Sequence, residues 1–383
     1  MDLTGFDFKI QNIDQLDTPV LVVYPERVQY NIDAAIQMVG DAKRLRPHIK
    51  THKSAVVAKM MMDAGITQFK CATIAEAEML GMAGANDVLL AYQPIGPKLQ
   101  RFINVIKKFL NTKYACLVDN IAAAQAQSDA FATQNLNVPV FIDLNIGQNR
   151  TGIAPDETAV ALYDACKNMK GIQIIGLHGY DGHLRSPDLA IRKAECDAAF
   201  DKLKALEAEI LLRNEIPMLS GRGDKSAKLI IVSGGSPSFS IHAQRETVQC
   251  SPGTFIYWDK GYSDLCPEQP FKPAALLVTR VISLPDATKL CLDLGHKSVA
   301  AENDISKRVY FLNASELIPL SQSEEHLVVE AGEGHTYKVG DVLYGLPYHI
   351  CPTVALFERV VTIENGKTSG EWLTIARDRR ITC

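Results

Sequence analysis

Between residues 19 and 270 the chain alternates short apolar runs with longer helical patterns. The apolar runs lie at 19–24 (PVLVVY), 68–72, 87–91, 114–118, 137–143, 172–178 and 229–233. Apolar residues at helical spacing fill 25–39, 53–64, 74–84, 98–111, 119–133, 155–169 and 187–213. Each such helix is long enough to carry the chain back across a parallel sheet. Strand–helix repetition of this length predicts a (β/α)8 barrel, TIM-like, rather than an open sheet. No GxGxxG follows the first strands, which removes the main signal of a dinucleotide-binding sheet. The alternation ends near the prolines of CPEQPFKP (266–273), a linker composition. Beyond it, strand-like runs at 275–282, 289–294, 326–330, 341–344 and 354–362 are separated by turn residues. The expected organisation is a barrel over 19–270 and an all-β domain over 271–383, with residues 1–18 packing on the β domain.

Composition narrows the function classes. The 383 residues are 47% hydrophobic and 22% charged, with a formal net charge of -4. That balance gives no electrostatic case for nucleic acid or an anionic membrane as partner. The opening residues MDLTGFDFKI have neither a basic flank nor a long apolar core, so no secretory signal is expected there. No apolar run reaches the length of a bilayer span. Nine scattered cysteines fit a reducing cytoplasm better than a disulfide framework.

The densest cluster of chemistry-bearing residues is Arg46-Pro47-His48-Ile49-Lys50-Thr51-His52-Lys53. Pro47 biases Arg46 toward extended backbone, which argues against a surface helix. An extended run that delivers a lysine at its end presents it as a Schiff-base lysine is presented. Nearby cations help to lower the pKa of such a lysine. Read alone, the run is a solvated basic turn. The strand ends further along favour the lysine reading.

In a barrel, chemistry collects at the C-terminal ends of the strands. One strand ends in Asp143-Leu144-Asn145 and runs into Gly147-Gln148-Asn149-Arg150-Thr151-Gly152. The next ends in His178-Gly179-Tyr180-Asp181-Gly182-His183, and the one after in Ser233-Gly234-Gly235-Ser236-Pro237-Ser238. Glycines let backbone N–H groups approach an anion, and serines add hydroxyl donors, so this last turn is a candidate phosphate cradle. A second glycine turn, Ser251-Pro252-Gly253-Thr254, falls near the expected final strand. Either one alone is simply a turn; two at the expected positions point to phosphate. A Schiff-base lysine and a phosphate cradle in one barrel suggest pyridoxal phosphate, whose ring is the electron sink that the protein orients. Arg150 is then a candidate partner for the phenolic oxygen and Tyr180 a candidate neighbour of the ring. A surface arginine and a half-buried tyrosine are the plain alternatives.

The β domain carries Pro347-Tyr348-His349-Ile350-Cys351-Pro352-Thr353. On extended backbone, residues two apart share a face. His349 and Cys351 are therefore a candidate metal pair, and imidazole with thiolate favours zinc. Two protein ligands leave positions open, as a catalytic site requires. The short motif by itself reads equally as a buried cysteine beside a satisfied histidine.

Taken together, RPHIKTHKS (46–54), TIAEAEML (73–80), NIGQNRTG (145–152), HGYDGHLR (178–185), SGGSPSF (233–239), PGTFIYWD (252–259) and PYHICPTV (347–354) resemble the D-threonine aldolase and D-serine dehydratase family, over nearly the whole chain. That family has the alanine-racemase-like fold of pyridoxal phosphate enzymes. The resemblance implies that Lys50 carries the cofactor and that Arg150 reaches its phenolic oxygen. It implies that Tyr180 lies near the ring, with Ser233, Gly234, Gly235, Gly253 and Thr254 at the phosphate. It implies that His349 and Cys351 bind a divalent metal, zinc before manganese, and that the enzyme is a homodimer. His349-x-Cys351 is the dehydratase form of the metal pair, whereas the flanking Pro352-Thr353-Val354 and HGYDGHLR look like the aldolase branch.

The expected activity is a lyase on β-hydroxy D-amino acids. In the aldolase form, His183 or a metal-held hydroxide takes the hydroxyl proton, and the Cα–Cβ bond breaks to give glycine and an aldehyde. In the dehydratase form, Lys50 takes the α-proton and the hydroxyl leaves. A racemase on the same fold needs no metal, and the His349/Cys351 pair speaks against it. A non-catalytic pyridoxal phosphate carrier resembles a lone barrel, which the β domain argues against. A cofactor-free class I aldolase barrel would be colourless.

Overall fold

Pro47 has no amide hydrogen to offer a sheet, and the barrel is nevertheless joined at that residue. The structure is a computed structural model that describes residues 7–213 and 229–383. The first strand, β1 (Val20–Val23), pairs antiparallel with residues 275–278 and parallel with residues 361–362. The run at 19–24, expected to open the barrel, therefore belongs to the second sheet. Its four residues are apolar enough for either sheet, and only the partner strands decide.

The parallel sheet begins with β2 (Gln68–Cys71) and continues through β3 (Asp87–Leu90), β4 (Lys113–Val118), β5 (Val138–Leu144), β6 (Ile172–Gly179), β7 (Ile230–Ser233) and β8 (Val248–Cys250). The seven strands lie in chain order, each parallel to the next. Residues 45–49 bridge the two ends. Leu45 pairs with Cys250 and His48 with Lys70. Arg46 N–H donates to Cys250 O at 2.8 Å, His48 N–H to Pro252 O at 2.9 Å and Ile49 N–H to Lys70 O at 3.0 Å. Pro47 takes part only as an acceptor, from Lys70 N–H at 2.9 Å. The curled sheet with this bridging segment is the TIM-like barrel expected from the alternation. Leu89, Ala115, Leu117, Phe141 and Val232 fill a cluster inside it.

The helices follow local signals. In Thr73-Ile74-Ala75-Glu76, the Thr73 hydroxyl accepts from Glu76 N–H and the Glu76 carboxylate accepts from Ala72 N–H at 2.6 Å, which starts the helix Ile74–Met82. Pro97 opens the helix Pro97–Lys108, which buries Leu99, Phe102, Ile103 and Val105.

The second sheet has nine strands, mostly antiparallel. After β1 it contains β9 (Ala275–Ser283), β10 (Lys289–Leu292), β11 (Val309–Phe311), β12 (Ile318–Gln322), β13 (Leu327–Glu330), β14 (Val342–Pro347), β15 (Arg359–Glu364) and β16 (Lys367–Leu373). Its core gathers Ile10, Val22, Tyr24, Leu276, Val278, Tyr344, Leu346 and Ile363, with Phe8, Ile13 and Leu16 against it. Residues 7–18 thus pack on this sheet; residues 1–6 of the expected N-terminal segment lie outside the described residues. The run expected as a strand at 354–362 divides differently: Ile350–Val354 is helical and the strand starts at Arg359.

By compactness the chain forms two units that interleave along the sequence. One is Ile36–Lys50, Met61–Gly253 and Asp378–Cys383; the other is Met1–Ala35, Thr51–Met60 and Thr254–Arg377. No helix among the described residues is long and apolar enough to cross a membrane.

Candidate active site

The barrel unit holds a cavity of about 400 Å³ lined by His48, Lys50, Lys70, Gln93, Asp143, Arg150, His178, Tyr180 and Arg379 among others. The bridging segment delivers Lys50 at its end, as an extended run should. Three cations meet around one ring: Lys50 Nζ lies 5.8 Å from the Tyr180 ring centroid, Lys70 Nζ 5.7 Å and Arg150 Cζ 5.0 Å. Lys70 comes from β2 and was not singled out in the sequence, where it is one polar residue in an apolar strand. Burial and the Lys50 charge bring its amine down to about 7.

At the ends of β5 and β6, Asp143 Oδ1 lies 2.7 Å from His178 Nδ1, and Gln93 Nε2 donates to Asp143 Oδ2 at 2.9 Å. Burial is the largest influence on the Asp143 carboxylate and raises it, but the hydrogen bond and charge of His178, with the hydrogen bonds of Thr151 and Gln93, together outweigh it and hold the group below the usual carboxylate range. Burial holds the His178 ring below the usual histidine range despite Asp143, and Lys70 and Arg150 add to that. His178 Nε2 is buried with no protein partner. Arg379 arrives on the C-terminal tail, which is tied down by hydrogen bonds at 2.9 Å from Arg101 to the carbonyls of Arg379 and Cys383.

The first glycine turn follows β7. Gly234 sits at φ +85°, a conformation that favours glycine. A Cβ on Gly235 would come 2.9 Å from the Tyr180 ring, so the turn leaves room only for bare backbone against that ring. Behind it is a buried polar chain. Gly235 N–H donates to Ser238 Oγ at 3.2 Å, and Ser238 Oγ donates to Asp181 Oδ1 at 2.6 Å. Asp181 Oδ2 lies 2.7 Å from His242 Nε2. Arg245, which has only donors, contacts His242 Nδ1, so His242 Nε2 carries the proton toward Asp181. Ser233 Oγ donates to Gly179 O at 2.9 Å, and Gly253 N–H reaches Ser236 Oγ at 3.4 Å, which links the two glycine turns. Asp181, Cys196 and His242 lie close enough together to hold a cation. The Arg245 guanidinium on His242 and the hydrogen bonds already made to Asp181 occupy that set instead.

In the other unit, His349 caps the helix Ile350–Val354 with extended backbone, and Cys351 lies in its first turn. The pair converges across this cap rather than along a strand, which corrects the expected reason for the shared face. His349 Nδ1 lies 2.5 Å from Glu302 Oε1. Cys351 Sγ lies 3.1 Å from Thr51 Oγ1 and 3.6 Å from Thr254 Oγ1. Burial opposes the charged form of the His349 ring, but hydrogen bonding and charge from Cys351, with Glu302, raise it to about 9. Ile350 N–H is held by Asp259 Oδ2 at 3.0 Å. Glu302 on Nδ1 orients the His349 ring as a carboxylate orients a metal-bound histidine, and it leaves Nε2 as the ring nitrogen for the Cys351 sulfur, with which the ring is hydrogen-bonded.

The barrel unit thus brings Lys50, Arg150 and Tyr180 into one cavity, beside the turns that carry Ser233, Gly234, Gly235 and Gly253. Thr254, His349 and Cys351 belong to the second unit. His183 does not line the cavity; its ring packs where Gly147 has no side chain, with Nε2 2.5 Å from the position of a Cβ there.

The profile of the family "Alanine racemase, N-terminal domain" matches residues 23–222. The chain belongs to this family. A second profile, described as "Putative serine dehydratase domain", matches residues 274–363 of this chain. D-threonine aldolase from Arthrobacter sp is 25% identical over 95% of this chain and 93% of its own. D-threo-3-hydroxyaspartate dehydratase from Delftia sp. (strain HT23) is 25% identical over 89% of this chain and 93% of its own. Among solved structures, D-threonine aldolase from Filomicrobium marinum superposes with a TM-score of 0.84 at 24% identity, over 94% of this chain and 95% of that one. The alanine-racemase-like fold expected from the motifs is the fold of this chain.

Proposed function

We propose that this chain is a pyridoxal phosphate- and divalent-metal-dependent lyase of β-hydroxy D-amino acids that cleaves them to glycine and an aldehyde, as D-threonine aldolase does. The observation that carries the reading is the cavity in which Lys50 and Arg150 flank Tyr180 beside a glycine turn built for bare backbone. The residues present fit the cofactor: a free amine, a cationic partner, an unpartnered His178 Nε2 and two glycine turns. When bound, pyridoxal phosphate supplies the electron sink and the metal a Lewis acid.

In this reading Lys50 holds the cofactor covalently, and Arg150 takes its phenolic oxygen. Tyr180 packs on the ring. Ser233, Gly234, Gly235, Gly253 and Thr254 hold the phosphate. The Asp181–His242 chain behind Ser238 keeps the first turn rigid. His349 and Cys351 hold the metal, and the thiolate favours zinc over manganese. His183 is one candidate for the substrate's hydroxyl proton, although its ring lies outside the cavity's lining, against Gly147 on the loop that carries Arg150. A reducing, cytoplasmic setting suits nine cysteines of which none is in a disulfide.

The Cys351 thiol favours a second reading, dehydration, in which Lys50 takes the α-proton and the hydroxyl leaves to give a keto acid and ammonia. Incubation with D-threonine and D-serine, with and without a chelator, separates the two. The proposal expects glycine and acetaldehyde from D-threonine, lost on chelation. Keto acid with ammonia selects dehydration, and racemisation that survives the chelator contradicts both.

A further inference from the structure

One amine in the cavity has no use in the chemistry above. Lys70 is 2% exposed and lines the cavity with its amine 5.7 Å from the Tyr180 ring. Among the described residues its side-chain amine has no hydrogen-bond partner, although its backbone is paired with Pro47 and Ile49. The carboxylates in electrostatic range are already engaged: Asp143 with His178 and Gln93, Asp181 with His242 and Ser238. A buried amine without a partner is costly, whether charged or neutral. Burial, first, and the Lys50 charge lower its pKa to about 7. An anion arriving in the cavity completes it, and the glycine turns do not line this cavity. The anion it faces therefore belongs to the ring end of a bound molecule rather than to its phosphate.

We infer that Lys70 is a cofactor-binding residue that shares the ring oxygen of pyridoxal phosphate with Arg150, so that two cations from different strand ends grip that oxygen while Lys50 makes the covalent link. The inference rests on the reading that this chain binds pyridoxal phosphate. It makes Lys70 a contact to the group itself, where a structural lysine would only fill space in β2.

The test is a titration of the full-length protein, stripped of cofactor, with pyridoxal phosphate and separately with pyridoxal, followed by absorbance near the visible edge. Lys70→Met keeps the length and apolar stem without the charge. Its affinity for both ligands is expected to fall about tenfold or more, while Lys70→Arg stays close to the parent. Affinities of Lys70→Met within about twofold of the parent overturn the inference. A loss seen with pyridoxal phosphate but not with pyridoxal also overturns it, because it puts Lys70 at the phosphate. Should Lys70→Met fail to fold, Lys70→Gln decides by the same criteria. A parent protein that gives no band with either ligand removes the cofactor reading itself, a result distinct from either of these.

Discussion

His52 is fully buried two residues from Lys50, and its Nδ1 accepts from Ser54 N–H at 3.1 Å. Its Nε2 has no partner, and burial pushes the ring down to about 3 from an ordinary 6.5. The folded value lies below the unfolded one. The contribution to stability is therefore complete above about pH 6.5 and is lost as pH falls from there toward about 3. His52→Asn keeps an acceptor for Ser54 and removes the titration. Urea unfolding at about pH 7.5 and about pH 5.5 is expected to show the parent losing about 1.4 kcal/mol more than the variant. Equal losses would contradict the assignment. At this scale the gathering of Lys50, Arg150 and Tyr180 at one cavity was legible, because each lies in a polar or glycine-rich string that follows an extended run. Lys70 and Glu302 were not. The first looks like one polar residue in a core strand, and the second lies in a loop with no motif around it.

The strand ends are held by one buried side chain whose importance only the fold reveals. Arg46, 1% exposed, donates to Gln249 Oε1 of β8 at 2.9 Å, to Gln68 Oε1 of β2 at 2.9 Å and to Asp87 Oδ1 of β3 at 2.6 Å. It ties the bridging segment to both sides of the barrel's join. Neither Met nor Lys reproduces that fork. Arg46→Met is expected to cost about 3 kcal/mol in urea unfolding, and a loss under about 1 kcal/mol would show that the bridge closes without it. Most helices were readable because their apolar spacing runs for many residues. The short strands β8, β11 and β12 were not, since three to five residues carry too little period to stand out. The cap at His349 was read as a strand because a lone x-His-x-Cys string has no helical period either.

For the whole molecule, alternation made the barrel legible, and the loss of alternation near residue 270 made the β sheet legible. The interleaving was not, because a strand such as β1 names no partner in its own sequence, and residues 51–60 carry no composition shift where they leave the barrel unit. The proposed function turns on Lys50, at the end of the bridging segment, as the residue that binds an aldehyde cofactor. Borohydride reduction of the cofactor-loaded protein, followed by peptide mass mapping, tests that directly. The account predicts a single pyridoxyl adduct on the peptide that contains Lys50, absent in Lys50→Ala. An adduct on Lys70 instead, or none on any lysine of the barrel, would contradict it.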